Sequence, residues 1–147
     1  MFALRHGLWY DFDMRVLCLD IGDARIGVAV SDPLGISTNG IETHRAEGRE
    51  KDIRYFSEMA LSRGCEKIVL GLPLNMDGTE GDRAELARSF GAALEKESGI
   101  PVDYEDERLS TVEAEELLIE AGLDRQERKK VIDKVAAEII LRRYLDR

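Results

Sequence analysis

Apolar residues recur along this chain in two rhythms, and the change from one to the other marks out the elements. Residues 15 to 21, RVLCLDI, are a short apolar run rich in β-favouring side chains and closed by Gly22, which predicts a buried strand. A turn at Asp23 to Arg25 leads into IGVAVS at 26 to 31, and so short a connection predicts an antiparallel hairpin that Asp32, Pro33 and Gly35 bring to an end. A weaker third strand falls at Ile41 to His44, after Gly40. From Arg49 to Arg63 the rhythm becomes helical, with Ile53, Phe56, Met59 and Ala60 on one face and Gly64 as the stop. KIVLGL at 67 to 72 is again a continuous strand, and PLNMDGTEGD at 73 to 82 has the proline, glycines and polar residues of an exposed loop. A helix over about 83 to 97, a strand PVDYED opened by Pro101, a helix starting at Ser110 and ending at Gly122, and a last helix over about 127 to 145 complete the chain. Ser110 with Glu113 has the spacing of a capping box.

This order predicts an α/β fold around a mixed five-stranded sheet, an antiparallel β-β-β start followed by α-β-α-β-α with helices packed on the sheet. The 147 residues suffice for one domain, taken as 14 to 147, with residues 1 to 13 as a loosely ordered extension too short in its apolar stretch for a signal peptide. Hydrophobic residues at 44% and charged residues at 35% describe a soluble globular chain, and no stretch has membrane-like composition. The net charge of −9 excludes nucleic-acid binding by bulk charge, so any such contact must be local. Cys18 and Cys65 sit in apolar runs without metal-ligand spacing, which predicts two reduced core thiols and a reducing cytoplasm.

The candidate chemistry lies in carboxylates placed where side chains should be apolar. Asp20 interrupts the first buried strand, where an unpaired charge is costly. Either it pairs with Arg25 or the Gly22 turn, or a cation compensates it. Asp133 shares a helical face with Ala136, Ala137, Ile140, Leu141 and Tyr144, so it points at the core. Lys134, Glu138, Arg142 and Asp146 make up the opposite, solvated face, and small Ala136 and Ala137 let the helix approach the sheet. Asp106 and Glu107 stand where the last strand ends, the usual ligand position of open α/β sheets, and either acid suits a ligand role. Strand alternation groups Glu107 with Glu105 and Asp103. Three carboxylates on separate elements suit Mg²⁺ or Mn²⁺, which prefer oxygen and retain waters and phosphate oxygens; zinc lacks its usual ligands. Such a site would activate water for phosphodiester hydrolysis.

Four ordered segments carry a family resemblance: LDIGDARIGVAVSD at 19 to 32, GLPLNMDGTE at 71 to 80, DERLST at 106 to 111 and KKVIDK at 129 to 134. Together they resemble the YqgF family, also called RuvX, the pre-16S rRNA nucleases and Holliday junction resolvase-like proteins, over about residues 14 to 147. The resemblance implies a ribonuclease H-like fold similar to RuvC resolvases and a cytoplasmic nuclease acting on the 5′ end of precursor small-subunit ribosomal RNA. It puts Asp20, Glu107 and Asp133 in the three acidic positions, and so decides for Glu107 over Asp106. The implied partner is nucleic acid, precursor rRNA or branched DNA, bound by a monomer or homodimer away from any membrane.

Arg25, Arg108, Arg125, Arg128, Lys129, Lys130 and Lys134 supply local positive charge for phosphates, and the loop with Asn75, Asp77, Gly78 and Thr79 is placed to close over substrate. Of these, Arg25, Asn75, Arg108, Lys130 and Lys134 are the candidate nucleic-acid contacts. Two other classes compete. The AspIleGly hairpin also resembles the phosphate-binding hairpin of actin-like ATPases, although those have two such lobes and this chain one, without a Walker-type loop. The other rival is a noncatalytic nucleic-acid adaptor. His6 and His44 have no evident partner in the sequence.

Overall fold

The computed structural model describes residues 2–5, 8–11 and 15–147. Strands β1 (Phe2–Arg5) and β2 (Leu8–Asp11) form an antiparallel ribbon of their own, Phe2 opposite Asp11, apart from the main sheet. The rest of the expected loose extension, His6 included, lies outside the described residues.

The main sheet has the order β5-β4-β3-β6-β7. Strand β4 (Arg25–Ser31) pairs antiparallel with both β3 (Val16–Ile21) and β5 (Thr38–Arg45), and β6 (Lys67–Leu72) and β7 (Val102–Asp106) run parallel to β3. Each parallel connection carries a helix, α1 (Arg49–Ser62) before β6 and α2 (Asp82–Ser98) before β7. Both cover one face, where Leu17, Leu19, Val28, Ile68 and Leu70 meet Phe56, Phe90 and Leu94. The other face presents Val16, Cys18, Ala29 and Val69 to Ala137, Ile140 and Leu141 of α4 (Arg125–Leu145), against which α3 (Ser110–Glu120) packs. The strand period of two thus splits β3 between two cores, and both cysteines are buried, Cys18 in one core and Cys65 in the other.

Three local expectations are corrected. Ser110 does not cap α3: it is a buried residue inside the first turn, and the position before it is Leu109, held at φ 62 with no side-chain cap. The capping box belongs to α4, where Asp124 accepts from the Glu127 N–H at 2.8 Å and Glu127 accepts from the Asp124 N–H at 3.0 Å. β5 begins three residues earlier than the apolar pattern shows, since Thr38, Asn39 and Gly40 contribute backbone rather than side chains and pair with β4 across a bulge at Val28/Ala29. Finally, the side of α4 expected to face solvent lies along β5. Glu138 accepts the Gly40 N–H at 2.7 Å and Arg142 donates to the Ile36 carbonyl at 2.9 Å, so these polar residues fasten the helix to a sheet edge.

His44 also finds its partner: its Nε2 lies 2.9 Å from Asp52 Oδ1, both buried, and its ring stacks on Tyr55. This pair joins β5 to the first turn of α1.

Candidate metal centre

The site forms at the C-terminal end of β3, and two glycines make room for it. Asp20 is paired across the sheet with Gly27 of β4, and the register of Leu19 with Leu70 puts Gly71 of β6 level with it on the other side. A Cβ at Gly27 would collide with the carbonyl group of Asp133, so the absence of a side chain lets α4 come down backbone to backbone. A Cβ at Gly71 would collide with Glu107 Oε2, so that glycine vacates the space the Glu107 carboxyl occupies. The close helix approach expected from Ala136 and Ala137 is therefore granted from the sheet side. The sequence signal was present in the glycine of IGVAV, two residues past the turn.

Around this clearing the structure brings Asp20, Glu107 and Asp133 together. Alternation along β7 continues past its end: Asp103 accepts from the Tyr144 hydroxyl at 2.8 Å, Glu105 from Arg147 at 2.7 Å, and Glu107, next on that face, reaches Asp20. Asp106 turns the other way and is saturated by a forked contact from Arg108, at 2.9 and 2.6 Å to its Oδ2, which holds its carboxyl below the usual range.

The electrostatics are those of a site short of positive charge. Burial pushes the Glu107 carboxyl up to about 8, helped by its hydrogen bond to Asp20 and the negative charge there. Burial also raises Asp20, the hydrogen bond from Glu107 opposes this, and the nearby Asp133 raises it further. A hydrogen bond between two carboxyl groups needs one of them protonated, and the raised Glu107 is the one that keeps its proton. Arg25 Nε stands 2.9 Å from Asp133 Oδ2, an ion pair by distance whose N–H points off the oxygen, which leaves that buried atom without a hydrogen bond. Glu107 Oε2 is likewise buried with no partner. Orphaned acceptors of this kind are costly, and a hard cation would satisfy both. The all-oxygen donor set fits such an ion in chemistry. As the side chains stand, though, no three acidic, histidine or cysteine groups among the described residues close around a common point. The Glu107 proton and Arg25 neutralise the acids instead.

The remaining expected contacts divide. Arg25 is held by Asp133. Arg108 is spent on Asp106 and on the Met76 carbonyl at 3.2 Å, pinning the 73–81 loop to the end of β7. Asn75 is also used internally, donating to Thr79 Oγ1 at 2.9 Å in a turn that Asp77 further ties to Thr79. Arg128 bridges to Glu115 on α3. Lys130 is exposed and Lys134 half-buried, and neither makes an ion pair with the described residues. The sequence reading passed over Arg83, at the start of α2, which lines a cleft of about 320 Å³ beside Gly71.

Sheet order and the helices on both faces are those of a ribonuclease H-like fold. Solved structures agree: RuvC of T. thermophilus in complex with a Holliday junction substrate matches with a TM-score of 0.57 at 14% identity, over 90% of this chain and 96% of that one. At that identity the likeness shows the fold. Sequence goes further, because the family model described as "RuvX: Holliday junction resolvase" matches residues 14–147, and the chain belongs to this family of phosphodiester-hydrolysing nucleases. It is 49% identical over 136 residues to a "Putative pre-16S rRNA nuclease" of Leuconostoc mesenteroides, covering 90% of this chain and 95% of the relative. It is 47% identical to the protein of the same name from Streptococcus pneumoniae, over 91% and 99% of the two chains. No helix among the described residues is long and apolar enough to cross a membrane.

Proposed function

We propose that this chain is a metal-dependent nuclease that trims the 5′ end of precursor 16S ribosomal RNA in the cytoplasm, as a monomer or homodimer, with Asp20, Glu107 and Asp133 holding Mg²⁺ or Mn²⁺. The observation that carries the metal reading is the pair of buried carboxylate oxygens that accept no hydrogen bond, Glu107 Oε2 and Asp133 Oδ2, with Asp20 and its largely buried carboxyl beside them. Most buried acceptors in folded proteins are satisfied, so two exceptions on neighbouring acids call for a ligand. When bound, the ion would lower the pKa of an attacking water and offset charge on the leaving oxygen.

The protein's own groups prepare for this. The rigid end of β3 fixes Asp20, the Gly27 contact fixes the height of Asp133, and Glu107 holds the proton that must leave before all three acids ligate. Arg25, once released from Asp133, stands at the rim as a phosphate contact. The RNA substrate is supported by the names of relatives that align almost end to end with this chain. Branched DNA is the second reading, and the family description favours it.

A cleavage assay on precursor rRNA and on a four-way DNA junction, with and without Mg²⁺ or Mn²⁺, separates the two. Asp20→Asn is expected to abolish metal-dependent cleavage while the far-ultraviolet dichroism stays unchanged. Full activity in that variant would overturn the assignment.

A further inference from the structure

Apart from the catalytic acids, the cleft between the C-terminal ends of β3 and β6 and the helices behind them has the makings of a binding site. Its wall runs from Gly22 after β3 to Pro73 after β6, and it includes Gly71, the residue that makes room for Glu107. Phe90 forms a buried apolar floor, and Leu86 of α2 lines the cleft with two-thirds of its surface in water. Arg49 and Arg83 contribute two guanidinium groups.

Arg83 differs from the other arginines of this end of the molecule in how little holds it. Arg25 is fixed by Asp133, Arg108 by Asp106, and Arg143 by two backbone carbonyls and Glu113. Arg49 gives one amino group to Ser89, at 3.1 Å to the carbonyl and 3.0 Å to the hydroxyl. The ion pair of Arg83 is a long one, 3.5 Å to Asp23 Oδ1, with both side chains largely in solvent, Arg83 at 66% and Asp23 at 91%. An exposed pair of this length contributes next to nothing to stability, so a phosphate displaces Asp23 at little cost. The cleft volume of about 320 Å³, an apolar wall and two cations suit one nucleotide unit, with its base or sugar on Leu86 and Phe90 and its phosphate on Arg83.

We infer that this cleft is a nucleotide subsite next to the scissile position, in which Arg83, backed by Arg49, binds a backbone phosphate of the nucleic acid. The inference rests on the nuclease reading and deepens it. It also shows how a chain of net charge −9 holds a polyanion: through a few guanidinium groups at the strand ends rather than a basic face.

The test is binding of a short single-stranded oligoribonucleotide, and of the DNA of the same sequence, to the Asp20→Asn protein over a range of salt. Adding Arg83→Gln is expected to weaken binding of both several-fold and to flatten the plot of log affinity against log salt by about 0.7, the value for one phosphate contact on a single strand. Arg54→Gln, on the exposed side of α1, serves as the charge control and is expected to leave the slope unchanged. An unchanged slope with Arg83→Gln overturns the subsite. Weakening on RNA alone overturns the phosphate assignment in favour of hydroxyl recognition. In the active protein Arg83→Gln is expected to raise KM several-fold with kcat within about two-fold; a fall in kcat alone counts against a binding role. Because binding is read without turnover, loss of the nuclease reading shows separately, as absence of cleavage by the wild type.

Discussion

Replacing Glu107 by Gln should stabilise the protein at neutral pH while destroying its activity. Glutamine keeps the side-chain shape, and its amide donates to Asp20 as the protonated acid does, so the variant is a permanent copy of the protonated state. In the wild type, the folded chain keeps at pH 7 a proton that the unfolded chain, with Glu107 near its ordinary 4.5, has released, because the folded value is about 8. A carboxyl raised on folding favours the folded state fully only below its unfolded value. That contribution is lost as pH rises towards 8. At about 1.4 kcal/mol per unit the wild type gives up at most about 3 kcal/mol between 4.5 and 7. Partial solvent access reduces the working figure to about 1–2 kcal/mol, or roughly 3–6 °C in Tm for a chain of this size. Thermal melts in EDTA at pH 4.5, 6, 7 and 8 measure it, roughly spanning the window between the two protonation states. The Gln variant should match the wild type at the acid end and gain steadily above it. Added Mg²⁺ or Mn²⁺ should raise the melting temperature of the wild type and not of the variant. A variant less stable than wild type at pH 7, or offset by the same amount at every pH, would refute the account of Glu107 as a buried acid that keeps its proton.

Three further outcomes follow from the same geometry. Gly27→Ala puts a methyl group into the Asp133 backbone, which cannot yield as a side chain would, and should cost about 3 kcal/mol or more by denaturant titration; a midpoint within experimental scatter of wild type would show that α4 is not docked where described. Asp124→Ala removes the observed cap of α4 and should cost about 1 kcal/mol, whereas Glu113→Gln, in the position first expected to complete a capping box, should cost less than about 0.5 kcal/mol in the same melts. Metal affinity, measured calorimetrically in two buffers of different ionisation heat, should rise from pH 6 to pH 8.5 with proton release, since the proton that Glu107 donates to Asp20 has to leave; affinity independent of pH would rule out that exchange.

Much of the fold was legible because its signals are local. The five strands, the crossover helices and their glycine stops follow from apolar rhythm, and Asp20 and Asp133 stand out as charges on apolar faces. What escaped was set by contacts distant in sequence. The early half of β5 is held by Glu138 of α4, 98 positions away from Gly40, so nothing in Thr38 to Gly40 announces a strand. The Ser110 cap failed because the chain enters α3 through Leu109 in a left-handed conformation that no β-propensity or capping pattern encodes. Proximity in sequence makes Arg25 one of the candidate partners of Asp20, but the helix delivers Asp133 to it. The charge of Arg108 and the polarity of Asn75 are visible in the sequence, whereas the side-chain geometry that turns them onto Asp106 and Thr79 close by is not.

The two glycines flanking Asp20 have a consequence for how such chains can change. Because the acids proposed to hold the metal are reached through missing side chains on both neighbouring strands, the clearing and the acids are separate inventions in sequence space. A descendant that lost Asp20 while keeping Gly27 and Gly71 would still dock its last helix and would persist as a folded, inactive scaffold, open to regaining chemistry by a single substitution. One that lost Gly27 first would have to move the helix, and with it Asp133, before any acid could matter. Among divergent chains of this fold, the glycine opposite the first acidic position is therefore the better marker of a recoverable site than the acid itself.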